Sequence, residues 1–257
     1  MWTVALVSVA GAALALLLGL LLGRTQRSKA GETSPQALAF SGAAVLGFFA
    51  LFTGFSIAGA WQQLNVAREQ TFAESRALTE TYWTAKGLAA PDRVLVRTQL
   101  RTYTGLVKGE EWREMQHGHG SAQAWRAIDD VRTTAEHARA ESPDEVAARA
   151  DVVRNLTDVY AKRTTRVADT KAAVPEVVLG GLFVGAFFVL ATPPVIGLTS
   201  NARNLVLMCF VGASVAFGVS LVVELSGPYT GVVRVQPTAF ELAEFRFGQI
   251  DTGTVPG

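Results

Sequence analysis

Three groups of residues in this 257-residue chain have the types and spacing to do chemistry. In the run from Glu110 to His119, the side chains of Glu110, Glu114 and His117 fall on one face of a helix, so two carboxylates and an imidazole could share a metal ion. No cysteine or distant third histidine supports that set. A solvated helix end explains the same pattern, and no cofactor is expected. Glu224 closes an apolar run with Pro228 and Tyr229 just behind it, and ionisable groups at membrane depth are costly and often functional. Ser41, Phe48, Phe52, Phe55 and Gly59 share one helical face, with Gln62 and Gln63 just beyond its end. Around the axis of an oligomer, such Phe rings would form a hydrophobic constriction that gates by dewetting. The same rings could instead pack against neighbouring helices or lipid. A nucleophile elbow, a phosphate loop and an HExxH pair are all absent, so an enzyme is not expected.

The elements that would position these groups are set by four charge-free apolar runs: 2–23, 37–61, 177–198 and 205–223, the last extending to about 225 as a span. A helix rises 1.5 Å per residue, so about 20 residues match a hydrocarbon layer of about 30 Å. The 49% hydrophobic content and mean hydropathy of +0.27 fit four such spans. No Lys or Arg precedes the first run, so it reads as a span rather than a leader. The expected class is all-α: a multi-pass membrane protein with two transmembrane hairpins (1–61 and 173–227), a polar helical domain over 62–172 between them, and a tail over 228–257.

The polar segment carries 17 basic and 16 acidic residues, a balance that argues against nucleic acid as a partner. Cys209 is the sole cysteine and lies in the fourth run, so no internal disulfide can form. Apolar residues at helical spacing mark four helices in this segment. Trp61 to Tyr82 continues the second span. Pro91-Asp92 starts the next helix and Trp125 to Ala135 marks a third. Ser142-Pro143-Asp144-Glu145 starts a fourth, with Ser142 as its cap, running on into the third span. Pro193-Pro194 should kink or end that span. In the tail, only 240–247 reads as helical. Gly19/Gly23, Gly181/Gly185 and Ser214/Gly218 have the small-xxx-small spacing that permits close helix approach. Arg24, Arg27 and Lys29 in the first short loop favour a cytoplasmic side for that loop and an extracytoplasmic polar domain; Lys162, Arg163, Arg166 and Lys171 oppose this from the other side.

Several landmarks recur in a familiar order: Trp61-Gln62-Gln63-Leu64, Glu74-Ser75-Arg76-Ala77-Leu78, Tyr82, Tyr103, Glu111-Trp112-Arg113-Glu114-Met115 and Glu224-Leu225-Ser226-Gly227-Pro228-Tyr229-Thr230-Gly231. Together, over Ala37 to Phe247, they resemble the bacterial bestrophin-like domain family, itself distantly similar to the bestrophin anion channels. The resemblance implies a pentamer, a pore lined by the second span with the Phe stripe as its neck, and a cytoplasmic helical domain. The chain lacks the acidic run of the bestrophin calcium clasp, so calcium gating is not implied. The resulting expectation is a homo-oligomeric ion channel in the cell membrane, its partners the lipid bilayer and inorganic ions, with anion preference by resemblance only. The alternative is a non-conducting scaffold or sensor whose helical domain binds a protein. A transporter fits poorly, because no mid-membrane charge or broken helix pair is evident.

Overall fold

A computed structural model describes residues 35–171, 174–195 and 201–253, together with isolated helical positions between Leu6 and Leu17. Every regular element among them is helical. Helix α1 is Pro35–Thr84, α2 Ala90–Leu106, α3 Trp112–Met115, α4 Ala122–Glu136, α5 Pro143–Ala168, α6 Glu176–Val195, α7 Ala202–Leu225 and α8 Thr238–Thr252. A π-helical turn, Val107–Glu111, joins α2 to α3. Three described helices are long and apolar enough to cross a membrane, and they account for the second, third and fourth expected spans. Most of the first run, including Gly19 and Gly23, lies outside the described residues, as do the first loop and the last four positions of the tail.

The chain divides into two compact units. One comprises Met1–Gln62, Ala173–Gly227 and Gly231–Val233; the other comprises Gln63–Ala172, Pro228–Thr230 and Arg234–Gly257. Helix α1 contributes to both, because no Pro or Gly interrupts it between Gly59 and Thr84.

In the first unit, α6 and α7 bury Leu182, Ala186, Val189 and Leu190 against Val215, Val219 and Val222, at the three- and four-residue spacing that brings side chains to one helical face. Phe49 of α1 joins this core. Glycines make room for α1. A Cβ at Gly185 would sit 3.1 Å from the Phe49 ring, one at Gly181 3.4 Å from Phe52, and one at Gly218 3.2 Å from the Thr53 methyl. Lipid offers no hydrophobic drive for helices to associate, so close approach of this kind has to supply dispersion contacts instead. On α7 the tightest small pair is Gly212/Ala216 rather than Ser214/Gly218: Gly11, from the first run, rests directly on it. Ser214 faces outward.

The second unit is built by helices with local start signals. Ser121 caps α4 by accepting from the backbone N–H groups of Gln123 and Ala124 at 3.1 and 3.2 Å. Ser142 and Glu145 form a complete capping box at the head of α5, with Pro143 in the first turn. Helix α2 lays Val96, Leu100 and Tyr103 in the core with Ala124, Ile128, Val131 and Ala135 of α4. Two expectations change here. Helix α5 does not continue into the third span but stops at Ala168; a 3₁₀ turn follows, and α6 restarts after Pro175, which disfavours helix at the residue before it. The segment read as a tail forms α8, and it belongs to this unit because Ala239, Phe240, Ala243 and Phe247 are buried in it.

Gly11→Ala should destabilise the detergent-solubilised protein by about 1–3 kcal/mol, because the added methyl overlaps the Ala216 side chain and lies 2.7 Å from the Gly212 carbonyl oxygen. Gly47→Ala, where the space around the backbone is open, should not lower the melting temperature.

Candidate functional site

The aromatic face of α1 is presented as the helical spacing requires. Phe48 and Phe55 are 72% and 76% exposed, and Ser41, Gly59 and Gln62 lie on the same open face. Phe52 turns partly inward: it stacks on Phe48 with ring centroids 6.3 Å apart and rests against Gly181. Gln63 is half-buried, and its side-chain oxygen has no hydrogen-bond partner among the described residues. The buried face carries the polar groups instead. Ser56 donates to the Phe52 carbonyl at 2.8 Å, and Thr53 lies against α7 at Gly218. From Pro35 to Ala67 the helix carries no charge, so its open face offers ring surfaces, one hydroxyl and amides.

In the second unit the structure assembles a constellation that no local motif announces. Glu74, Glu111, Arg163 and Arg166 all have side chains with 0% exposure. Arg166 reaches both carboxylates: its Nε donates to Glu74 at 2.6 Å, and Nη2 donates to Glu111 at 2.5 Å and to Glu74 at 3.2 Å. Arg163 pairs with the second oxygen of Glu111, donates to the Ser121 carbonyl at 3.1 Å, and stacks 3.8 Å over the ring of Trp125. The Tyr103 hydroxyl closes the network by donating to Glu74 at 2.6 Å. Two carboxylates thus meet two guanidiniums, with formal charge balanced.

Each member is positioned by its helix. Val152, Leu156, Val159, Arg163 and Arg166 occupy one continuous stripe of α5, at alternating steps of four and three, so the arginines simply extend an apolar face inward. The π turn adds a residue to the local helical ring and directs Glu111 into the core.

The electrostatics follow from this burial. Burial alone would raise the Glu111 pKa, but Arg166 and Arg163 outweigh it and hold the carboxyl below its ordinary 4.5. Burial would lower that of Arg166, yet Glu74 and Glu111 keep it well above the usual guanidinium range. Burial and the neighbouring Glu74 push the Tyr103 phenol far up. These shifts keep Glu111 and Arg166 charged and the Tyr103 phenol neutral.

The remaining expected residues have structural partners. Glu224 accepts from the backbone N–H of Val232 at 3.0 Å and braces the loop after α7. Gly231 in that loop has φ +73°, and a side chain there would press on the Glu224 carbonyl at 2.8 Å. Within the second unit, the Pro228 carbonyl accepts from Val235 at 2.8 Å. Tyr229 is 1% exposed and meets Trp112 edge-on at 5.6 Å, and burial pushes its phenol up to about 12. Glu110 and His117 of the candidate metal set have other partners. The π turn breaks the regular spacing, Glu110 accepts from the Ser121 hydroxyl at 2.6 Å, and the His117 ring is engaged by the Arg113 carbonyl at 2.9 Å. Among the described residues no three His, Cys, Asp or Glu side chains are grouped to hold a metal. Arg163 and Arg166 are the residues the sequence reading missed as a site. It counted them as charges flanking a span, although their phase with Leu156 and Val159 marks them as inward-facing.

A family model described as a bestrophin-like domain matches residues 5–240. Among solved structures, a bacterial bestrophin homologue from Klebsiella pneumoniae superposes with a TM-score of 0.68 at 14% identity, covering 96% of this chain and 99% of that one. A variant of the same homologue gives a TM-score of 0.68 at 12% identity, over 93% of this chain and 98% of that one. A structure described only as a membrane protein gives 0.68 at 13% identity, over 96% and 98%. Identities this low show a shared fold. No curated protein sequence matches.

Arg166→Met should cost about 3–5 kcal/mol of stability, because it leaves two buried carboxylates with one guanidinium between them; chemical denaturation of the solubilised protein measures it. The network also predicts an acid limb. Glu111 titrates lower in the folded protein than in the unfolded chain, so its contribution is fully present above about pH 4.5 and is lost as pH falls through the folded value. A melting-temperature profile from pH 7 to pH 3 should fall at its acid end for the unaltered chain and fall less steeply for Glu111→Gln.

Proposed function

The chain belongs to the bestrophin-like family, and from that premise we propose that it forms a homo-oligomeric ion channel with the second span lining the pore. The observation that carries this reading is the open, uncharged face of α1, where Phe48 and Phe55 stand exposed on the bare chain. Rings of such residues around an axis make a narrow apolar passage that water and ions leave and re-enter together. Ser41, Phe48, Phe52, Phe55, Gly59, Gln62 and Gln63 are the proposed lining, with Phe52 supporting Phe48 from the side. No Lys or Arg lies in the apolar runs, so any preference for anions rests on the positive edges of the rings and on backbone amides. By the likeness to bestrophins the oligomer would be a pentamer with its helical unit in the cytoplasm. Arg163 and Arg166 are neutralised by buried ion pairs, so among the described residues just before the third span a charge-based topology count rests on the exposed Lys162 and Lys171.

A second reading, a non-conducting scaffold, is favoured by the exposed Leu242 and Phe245 on α8 and Val94 on α2, which are apolar side chains open to a protein partner.

Reconstitution into liposomes distinguishes the two. The unaltered chain should pass ions, and Phe48→Ala combined with Phe55→Ala should raise the flux about tenfold, as expected for a barrier lowered by about 1.4 kcal/mol. A monomer, or an oligomer with a lipid-filled axis and no flux under any ion gradient, would sink the channel.

A further inference from the structure

A second charged cluster in the helical unit is unbalanced. Arg97 and Arg101 stand one turn apart on α2 and converge on one carboxylate, Asp251, in the last turn of α8. Asp251 Oδ1 accepts from Arg97 Nη1 at 2.9 Å, and Oδ2 accepts from Arg101 Nη2 at 2.8 Å and from the Tyr82 hydroxyl at 2.6 Å. Arg101 Nε donates to the Tyr82 oxygen at 3.0 Å. Two donors are left over: Nε and Nη2 of Arg97 are buried without an acceptor among the described residues. The cluster therefore holds two positive charges against one negative, and more N–H groups than its two carboxylate oxygens can satisfy.

The cradle is braced by ring packing, and its ligand comes from the end of a helix. Tyr82 stacks on Phe247 with centroids 4.1 Å apart, and the guanidiniums of Arg97 and Arg101 lie 4.8 and 5.3 Å from the Tyr82 ring. Asp251 comes from a helix end beyond Phe247. The turn that carries it contains Gly248, a poor helix former whose surroundings are open, and ends at Gly253 in the left-handed conformation. Asp251 is also 39% exposed, so solutes can reach it. Guanidinium forks match the oxygens of phosphate as well as those of carboxylate, and a tetrahedral oxyanion supplies more acceptors than Asp251 does.

We propose that Arg97, Arg101 and the Tyr82 hydroxyl form an oxyanion-binding site that Asp251 occupies as an internal ligand, so that a phosphate-type anion displaces it and frees the end of α8. The anion is either free in solution or the headgroup of an anionic lipid. The site shares no residue with the proposed pore lining and does not depend on ion conduction.

The test uses the full chain in neutral detergent. Asp251→Asn empties the cradle of its charge, and calorimetric titration with inorganic phosphate should then show saturable binding about tenfold tighter than in the unaltered chain, where Asp251 competes. Adding Arg97→Gln and Arg101→Gln should abolish it. Independently, phosphate should raise amide exchange at residues 249–252 of the unaltered chain when sodium chloride of the same ionic strength does not. Saturation by inorganic phosphate assigns the site to a free anion, and saturation by short-chain phosphatidic acid alone assigns it to a lipid headgroup. No saturable binding of either to Asp251→Asn, or binding that persists without both arginines, overturns the proposal.

Discussion

Two guanidiniums and two carboxylates lie at zero exposure in the centre of the helical unit, and everything around them has to be arranged for their benefit. Ions of this kind lose several kcal/mol each on leaving water, and only short, well-aligned contacts offset that loss. The three helices that supply them are therefore tied to one register. Glu74 comes from α1, Glu111 from the π turn, and Arg163 and Arg166 from α5. Shifting any one of them by a residue would leave a buried charge unpaired. Tyr103 from α2 satisfies a further lone pair of Glu74, and Met115 and the Ser121 carbonyl take up other guanidinium N–H groups. Such a network adds little net stability compared with a well-packed apolar core, but it penalises every wrong arrangement heavily.

The membrane unit meets the opposite constraint. Its surroundings offer no water to compete for, so helix contact rests on dispersion and close approach. The glycines of α6 and α7 accept Phe49, Phe52 and Thr53 of α1, and Gly11 settles on Gly212 and Ala216. Once those contacts are made, large side chains such as Phe40, Phe48, Leu51 and Phe55 remain exposed on the single chain. Helix α1 joins the two regimes in one element: apolar and uncharged through its first half, then charged on its outer faces and carrying Glu74 inward.

Much of this was legible in the residues before any coordinates. The second, third and fourth spans follow from run length, the continuity of α1 from the lack of a breaker, the starts of α2 and α5 from Pro91 and Ser142, and the existence of α4 from the apolar spacing of Trp125 to Ala135. Glu74, Tyr103, Glu111 and Met115, which carry part of the resemblance, are neighbours in the buried network. The π turn was not legible, because one extra residue in a helical ring leaves no compositional mark. Its consequence is that Glu111 is buried in the core. The seven residues between α5 and α6 also escaped notice, since a charge-to-apolar transition looks the same whether or not the helix breaks.

By itself the sequence determined what depends on local chemistry: where apolar length permits a span, where caps and prolines begin a helix, and which face of α1 carries aromatic rings. Tertiary structure alone decided which charges are solvated and which are buried. Arg163 and Lys162 are adjacent in the chain and identical in sign, yet one is fully enclosed between Glu111 and Trp125 and the other faces outward. Their difference is one of rotation about a helix axis, and the meaning of that rotation comes from partners on other helices, far away in sequence.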